Sequence, residues 1–261
     1  MSLHRFVACG DAIFRCLLGS TALGLAVIAG AAAAADLPAR EQANSYISVF
    51  AGTNSASIGS DTGYVGVTLA PFGKISEPGF RVGLFAAAGR YKYDSIGDNG
   101  PPPTVHGTFV TTDFLLGYGF VGENWNAKLY GGLNVQDQNL SRFDPGNPVY
   151  GTRGGLKVQG DIWVNPTEQT MVFTLASYST AFNTYYATLK TGYEFFHGKE
   201  IFFGPEVTLQ GNEHYEQWKF GGHITGIKLN EKIELGFSAG YLRSSDVGPG
   251  AYGKIGLNFE W

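Results

Sequence analysis

From Ala251 to Trp261, apolar and polar residues alternate one by one. Gly253, Ile255, Leu257, Phe259 and Trp261 fall on one parity, and Lys254, Asn258 and Glu260 on the other. Successive side chains of a strand point to opposite faces, so this segment has one apolar face closed by an aromatic and one polar face. The same alternation recurs upstream. Leu129, Leu133 and Val135 share a parity, as do Leu156, Val158, Ile162 and Val164. So do Met171, Phe173 and Leu175, then Ala187, Leu189, Tyr193 and Phe195, then Ile233, Leu235, Phe237 and Tyr241. The opposite parity carries Lys128, Lys157, Asp161, Lys190, Glu194, Glu206, Lys219, His223 and Glu234. No long segment shows an apolar period of 3.6, so the chain reads as all-β.

Twelve strands are predicted, over 45–53, 62–70, 79–93, 105–121, 125–138, 151–164, 169–178, 183–196, 200–211, 215–229, 232–243 and 250–261. An apolar face against lipid and a charged face against a lumen make these an antiparallel up-and-down transmembrane β-barrel over 45–261. A Lys or Arg facing mid-bilayer lipid costs ~2–4 kcal/mol, which sends the charged parity inward. The connections support this. Tight turns are expected at 122–124, 165–168, 197–199 and 230–231, and longer polar loops at 94–104, 139–150 and 244–249. Only the stretch 71–78 breaks the phase. Barrels pair short periplasmic turns with longer outer loops, whereas a secreted β-sandwich has no reason to keep that phase. The third strand is irregular, because Arg90 and Lys92 share parity with Val82 and Leu84. Either a bulge or charges lying beyond the membrane would account for it. Tyr91, Tyr93, Tyr118, Trp125, Tyr178, Tyr185, Trp218 and Tyr241 lie near strand ends, where interfacial girdles belong.

The N-terminus supplies an export route. Arg5 and Arg15 precede an apolar run from Leu17 to Ala35 with small residues at Ala33 and Ala35. This predicts a signal peptide over 1–35 and a polar periplasmic lead-in over 36–44. A retained membrane anchor is the alternative, but the run is weakly hydrophobic and no basic stop follows it. A lipoprotein site at Cys9 is rejected, because the apolar stretch before it is too short. Both cysteines, Cys9 and Cys16, lie in the removed segment, which leaves no disulfide scaffold and no thiolate metal site. Losing Arg5, Arg15 and Asp11 takes the formal charge from −4 to −5. An acidic chain argues against a nucleic-acid partner. The 38 glycines and 14% aromatic residues, with no later apolar run of the ~20 residues that a membrane helix needs, point again to strands. The expected location is the outer membrane of a Gram-negative bacterium, with outer-membrane lipid as a contact.

The predicted lumen carries Lys128, Arg153, Lys157, Lys190, Lys219 and Lys254 against Asp113, Asp161, Glu194, Glu206, Glu234 and Glu260. Equal numbers of each sign suggest ion pairs that satisfy one another. The alternative is a hydrated channel of mixed charge that passes or contacts a neutral polar substrate. Twelve strands enclose a space that side chains nearly fill. The inward aromatics Tyr130, Trp163 and Tyr186 suit stacking on sugar rings, or simple filling of the lumen. Two His-x-Thr pairs, His223 with Thr225 and His106 with Thr108, raise the alternative of a lipid-modifying barrel enzyme. Thr is rarely a nucleophile without a special base, and neither pair is expected on the outward face. His106, His197, His214 and His223 are scattered and make no metal-ligand spacing. No catalytic residue, cofactor or metal is expected.

Several stretches look familiar. Asp144-Pro145-Gly146-Asn147-Pro148-Val149-Tyr150-Gly151, leading into Gly155-Leu156-Lys157-Val158, resembles a signature of the bacterial cellulose biosynthesis protein BcsS family. Similar in the same way are Ala176-Ser177-Tyr178-Ser179-Thr180-Ala181-Phe182-Asn183, then Gly204-Pro205-Glu206, Gly211-Asn212 and Tyr215. The resemblance implies an exported outer-membrane protein associated with cellulose synthesis and secretion, and it brings no catalytic residues. The segments 139–150, 178–184 and 211–215 fall in predicted outer loops, where binding function concentrates. Asp144, Asn147, Tyr150, Ser179, Asn183, Asn212 and Tyr215 are therefore expected to form one extracellular surface. Its partner would be the emerging cellulose or another cellulose-synthesis component. Pro, Gly and Asn simply closing turns is the plainer explanation. The expected role is a channel or accessory component of cellulose production, and a general small porin-like channel is the first alternative.

Overall fold

The computed structural model describes residues 45–95 and 103–261. The expected signal peptide and lead-in lie outside the described residues, as does most of the proline run of the 94–104 loop. The strands are β1 (Ile47–Ala56), β2 (Ser60–Leu69), β3 (Gly79–Asp94), β4 (Thr104–Val121), β5 (Trp125–Leu140), β6 (Gly151–Thr167), β7 (Thr170–Ser179), β8 (Thr184–Glu194), β9 (Phe202–Gly211), β10 (Glu216–Asn230), β11 (Ile233–Ser244) and β12 (Gly248–Glu260). Each pairs antiparallel with its sequence neighbours, and β12 closes on β1 from Ser48↔Glu260 to Ala56↔Tyr252. The Tyr46 and Ile47 amides complete the seam on the Trp261 carbonyl, at 2.7 and 3.0 Å. Closure leaves no edge strand among the described residues. The twelve-stranded barrel and its strand order are as expected, with ends shifted by no more than about three residues.

The loop phase holds only in part. The connections after β3 and β5 are long, but those after β1, β7, β9 and β11 are short, while 70–78 and 195–201 on the opposite end are not tight. Height on one end comes from the strands instead. β3 to β6 run 16 to 18 residues, whereas β1, β2, β7 and β9 run 10. These four strands raise a wall at what is called here the loop end, under the 141–150 loop; the other is the turn end.

Register fixes the two faces. Leu129, Leu133, Leu156, Val158, Leu189 and Phe237 are exposed on the outside, and the charged parity lies within. β7 is the exception. Met171, Phe173 and Leu175 point inward, with Phe173 only 2% exposed, because Trp163↔Phe173 and Phe173↔Lys190 set them level with inward neighbours. Both parities of β7 are largely apolar, so alternation alone cannot orient it. β3 carries no bulge: its pairing with β4 is unbroken from Gly79↔Gly119 to Asp94↔Thr104. Arg90 and Lys92 point outward at the loop end, where Arg90 pairs with Asp61 at 2.6 Å. Tyr118, Tyr178, Trp218 and Tyr241 stand on the outside near strand ends, but Tyr91 and Tyr93 turn inward and leave the girdle. His106 and Thr108 also lie on the exposed face of β4, against expectation.

The interior is packed from opposite walls. Trp163, Met171, Phe173, Leu175, Tyr186 and Phe202 form one apolar cluster on β6 to β9. Tyr64 and Ala87, with Phe50 and Phe85, form a second on β1 to β3. Gly66 makes room for the latter, since a Cβ there would meet the Phe50 ring at 2.1 Å. At the turn end the 70–78 connection folds back over the mouth and buries Ile75. Arg81 holds it there by donating to the carbonyls of Lys74, Ile75, Glu77 and Phe80 at 2.5 to 3.2 Å. Placing a charge on the outer belt tests the face assignment. Leu133→Arg is expected to lower stability in lipid vesicles by ~2–4 kcal/mol, measured by reversible urea unfolding.

Candidate functional site

The lumen is a network of charges between these clusters and a third, smaller one of Ile58, Leu242 and Tyr252. Lys128 pairs with Asp161 at 3.0 Å, and Lys157 with Asp113 at 2.5 Å. Lys157 also stands 5.5 Å from the centre of the Phe85 ring. The amide of Asn134 donates to Asp113 at 2.6 Å, while Gln136 and the Ser179 hydroxyl donate to the Asn134 carbonyl oxygen at 2.8 and 2.7 Å. Glu206 accepts from Ser238 at 2.6 Å and from Lys254 at 3.2 Å, with Lys190 at 3.8 Å. Glu194 accepts from the backbone amides of Lys199 and Glu200, both at 2.7 Å, and so caps the β8–β9 connection. His223 lies 3.0 Å from the Thr225 hydroxyl and 3.1 Å from the Thr191 carbonyl. Glu234 and Lys219 are buried in the same interior. Arg153 starts on the inward parity but reaches the rim, pairing with Glu213 at 3.1 Å and lying 4.3 Å over the Phe182 ring. Buried pairs of this kind lock register more than they add net stability.

Cavities interrupt the packing of the described residues. A larger one of about 160 Å³ lies toward the loop end, and a smaller one of about 40 Å³ toward the turn end. Phe85 and Lys157 line both, so these two side chains form the partition between them. The larger is walled by carboxamides, namely Asn54, Asn134, Gln136, Gln138, Asn147, Gln210 and Gln217, and by the tyrosines Tyr91, Tyr93, Tyr185, Tyr186 and Tyr215. A cavity of ~150 Å³ accepts a six-membered ring, so this one is the size of a single sugar unit. The smaller holds Tyr130 with Lys128, Asp161, Gln159 and Ile75.

Four connections meet at the larger cavity. From 141–150, Asp144 accepts from the Tyr93 hydroxyl at 2.8 Å, and the Asn147 amide donates to that hydroxyl at 2.9 Å. Tyr93 packs edge-on against His214 of the β9–β10 connection, with centroids 5.3 Å apart, and His214 faces Asp246 after β11 at 3.7 Å. The β7–β8 turn joins through Asn183, which donates to Glu213 at 2.8 Å, and through the Glu213 amide on the Phe182 carbonyl. Asn212 shapes the same corner by accepting from the His214 and Tyr215 amides. Burial works against the Asp144 charge, but the Tyr93 hydroxyl and the Gly146 amide outweigh it and hold the carboxyl below its usual range. Burial pushes the Tyr215 phenol up to about 12.

The sequence-predicted residues thus separate by place. Asp144, Asn147, Asn183, Asn212 and Tyr215 gather at this mouth, Ser179 is buried just beneath it, and Tyr150 is 57% exposed at the end of its loop. Of the three inward aromatics, Tyr186 lines the larger cavity and Tyr130 the smaller. Trp163 is 1% exposed in the β6–β9 cluster, donates to Asn165 at 2.8 Å, and lines neither of the two. Sequence reasoning missed Tyr93, His214, Glu213 and Asp246 as members of the mouth. Only the inward parity of Tyr91 and Tyr93 could have shown part of it.

An exposed apolar belt, a charged interior and full closure over twelve strands make this an outer-membrane β-barrel. A model of the family "Cellulose biosynthesis protein BcsS" matches residues 48–261, and the chain belongs to that family. Among solved structures it is similar to the β domain of the Bordetella autotransporter BrkA, at 10% identity and TM-score 0.46, covering 84% of this chain and 100% of that one. It is also similar to the KdgM porin in complex with disordered oligogalacturonate, at 9% identity and TM-score 0.45, covering 82% and 99%. A third is the Acinetobacter baumannii outer membrane protein Omp33, at 11% identity and TM-score 0.40, covering 84% and 100%. No curated protein matches the chain.

The Asp113–Lys157 pair offers a test of the partition. Asp113→Asn leaves Lys157 buried without its carboxylate, and stability should fall by ~3–5 kcal/mol in denaturant unfolding. Asp113→Asn combined with Lys157→Met should recover most of that loss.

Proposed function

We propose that this barrel serves cellulose production as an outer-membrane accessory that is closed to passage of the polymer and holds a neutral glucan segment at its outer mouth. The observation that carries this reading is the cavity under the 141–150 loop, walled by carboxamides and tyrosines. A carboxamide both donates and accepts, so it suits a hydroxyl whichever way that hydroxyl points. Tyrosine rings offer flat apolar surface to the C–H face of a pyranose and a hydroxyl at the edge. The loop end faces outward in this reading, and the exposed belt meets outer-membrane lipid. Binding through hydrogen bonds and ring faces asks for no catalytic group and no cofactor. A gated channel is the second reading. It is favoured by the two cavities standing on either side of one layer, Phe85 and Lys157, whose rearrangement would join them.

Titration of the detergent-solubilised barrel with cello-oligosaccharides tests the proposal. Wild-type protein is expected to bind them in preference to oligogalacturonate of equal length. Gln138→Ala and Gln210→Ala should each weaken binding about 5-fold, the effect of one lost hydrogen bond of ~1 kcal/mol. Absence of binding by the wild type, or equal binding by all three proteins, would contradict it.

A further inference from the structure

Beneath the floor of the larger cavity, on the β10–β12 side, two buried donors have no acceptor among the described residues. Lys219 is 5% exposed and makes no hydrogen bond or ion pair there; its ammonium stands 5.5 Å from the centre of the Tyr252 ring. Tyr252 is likewise 5% exposed, and its hydroxyl is buried without a partner. The charged groups that act on Lys219 are Lys254 and Glu206. Glu206 is already engaged by Ser238, Lys254 and Lys190. Lys219 therefore has no carboxylate of its own, and a second lysine, Lys254, is the next inward residue of β12 after Tyr252. An ammonium has three donors and no acceptor, and burying it unpaired is expensive. The repulsion between Lys219 and Lys254 adds to that expense in an interior of low dielectric.

We propose that Lys219, Tyr252 and Lys254 bind a small inorganic anion of halide type. A species that only accepts and carries negative charge matches this donor set. It would take hydrogen bonds from the Lys219 ammonium and the Tyr252 hydroxyl, and it would screen Lys219 from Lys254. Water answers the need less well, because it carries no charge to set against the two lysines. Access follows from the strand. Gln217, the next inward residue of β10 toward the loop end, lines the larger cavity, so that cavity is the side from which an anion would approach Lys219. The site is independent of the glucan reading, since it uses none of the carboxamides proposed to hold sugar.

Bromide stands in for the anion in the test. Crystals of the solubilised barrel soaked in sodium bromide should give an anomalous peak within hydrogen-bonding distance of both the Lys219 ammonium and the Tyr252 hydroxyl. Tyr252→Phe should weaken the peak, and Lys219→Met should abolish it. Wild-type melting temperature should be higher in sodium bromide than in sodium gluconate of equal ionic strength, and the two salts should be equivalent for Lys219→Met. Lys219→Met removes an unpaired buried charge, so it is expected to fold. A wild-type site that refines as water, with no difference between the salts, would overturn the proposal. So would a bromide peak that persists in Lys219→Met, which would mark an adventitious ion only.

Discussion

Everything in this molecule depends on the closure of β12 onto β1. In a bilayer an unpaired amide or carbonyl has no water to turn to and costs several kcal/mol, so a spanning sheet survives only as a closed ring. The seam from Ser48↔Glu260 to Ala56↔Tyr252 meets that demand, and the Trp261 carbonyl takes the last amides on the far side of it. Once the ring is closed, every side chain must face either lipid or lumen. The charges have no choice, because lipid rejects them, and their number then decides what the lumen becomes.

What it becomes is a packed interior with a hollow mouth. Ion pairs such as Lys128–Asp161 and Lys157–Asp113 need neighbours that exclude water, and the clusters around Trp163 and Tyr64 supply them. Arg81 holds the 70–78 connection across the turn end. At the loop end the strands β3 to β6 rise above the others, which leaves a volume that packed side chains do not fill. Carboxamides and tyrosines line much of it, and four connections meet there. The functional reading rests on that asymmetry between a filled centre and a vestibule walled mainly by carboxamides and tyrosines, with Lys157 at its floor and Asp246 at its rim.

The barrel was legible in the sequence because two strong constraints act on every strand. Alternation reports the two faces, and a Lys or Glu on one parity identifies the inner one. Where that second signal is missing, the reading failed, as in β7, whose Met171, Phe173 and Leu175 look as lipid-worthy as any residues in the chain. Loop lengths misled for a related reason, since the height of the loop end is built from long strands rather than long loops. The mouth was half visible. Asp144, Asn147, Asn212 and Tyr215 stood out as turn chemistry, but Tyr93 meets His214 only through the curvature of the closed sheet. No spacing in the chain reports a contact of that kind.

The central claim is that the barrel is closed across its middle, and conductance in planar bilayers tests it most directly. Full-length protein should insert and show no steady ion current at moderate voltage, with or without cello-oligosaccharide. Stable single-channel steps that a cello-oligosaccharide blocks would contradict it, and would establish a conducting glucan pore in place of a closed accessory barrel.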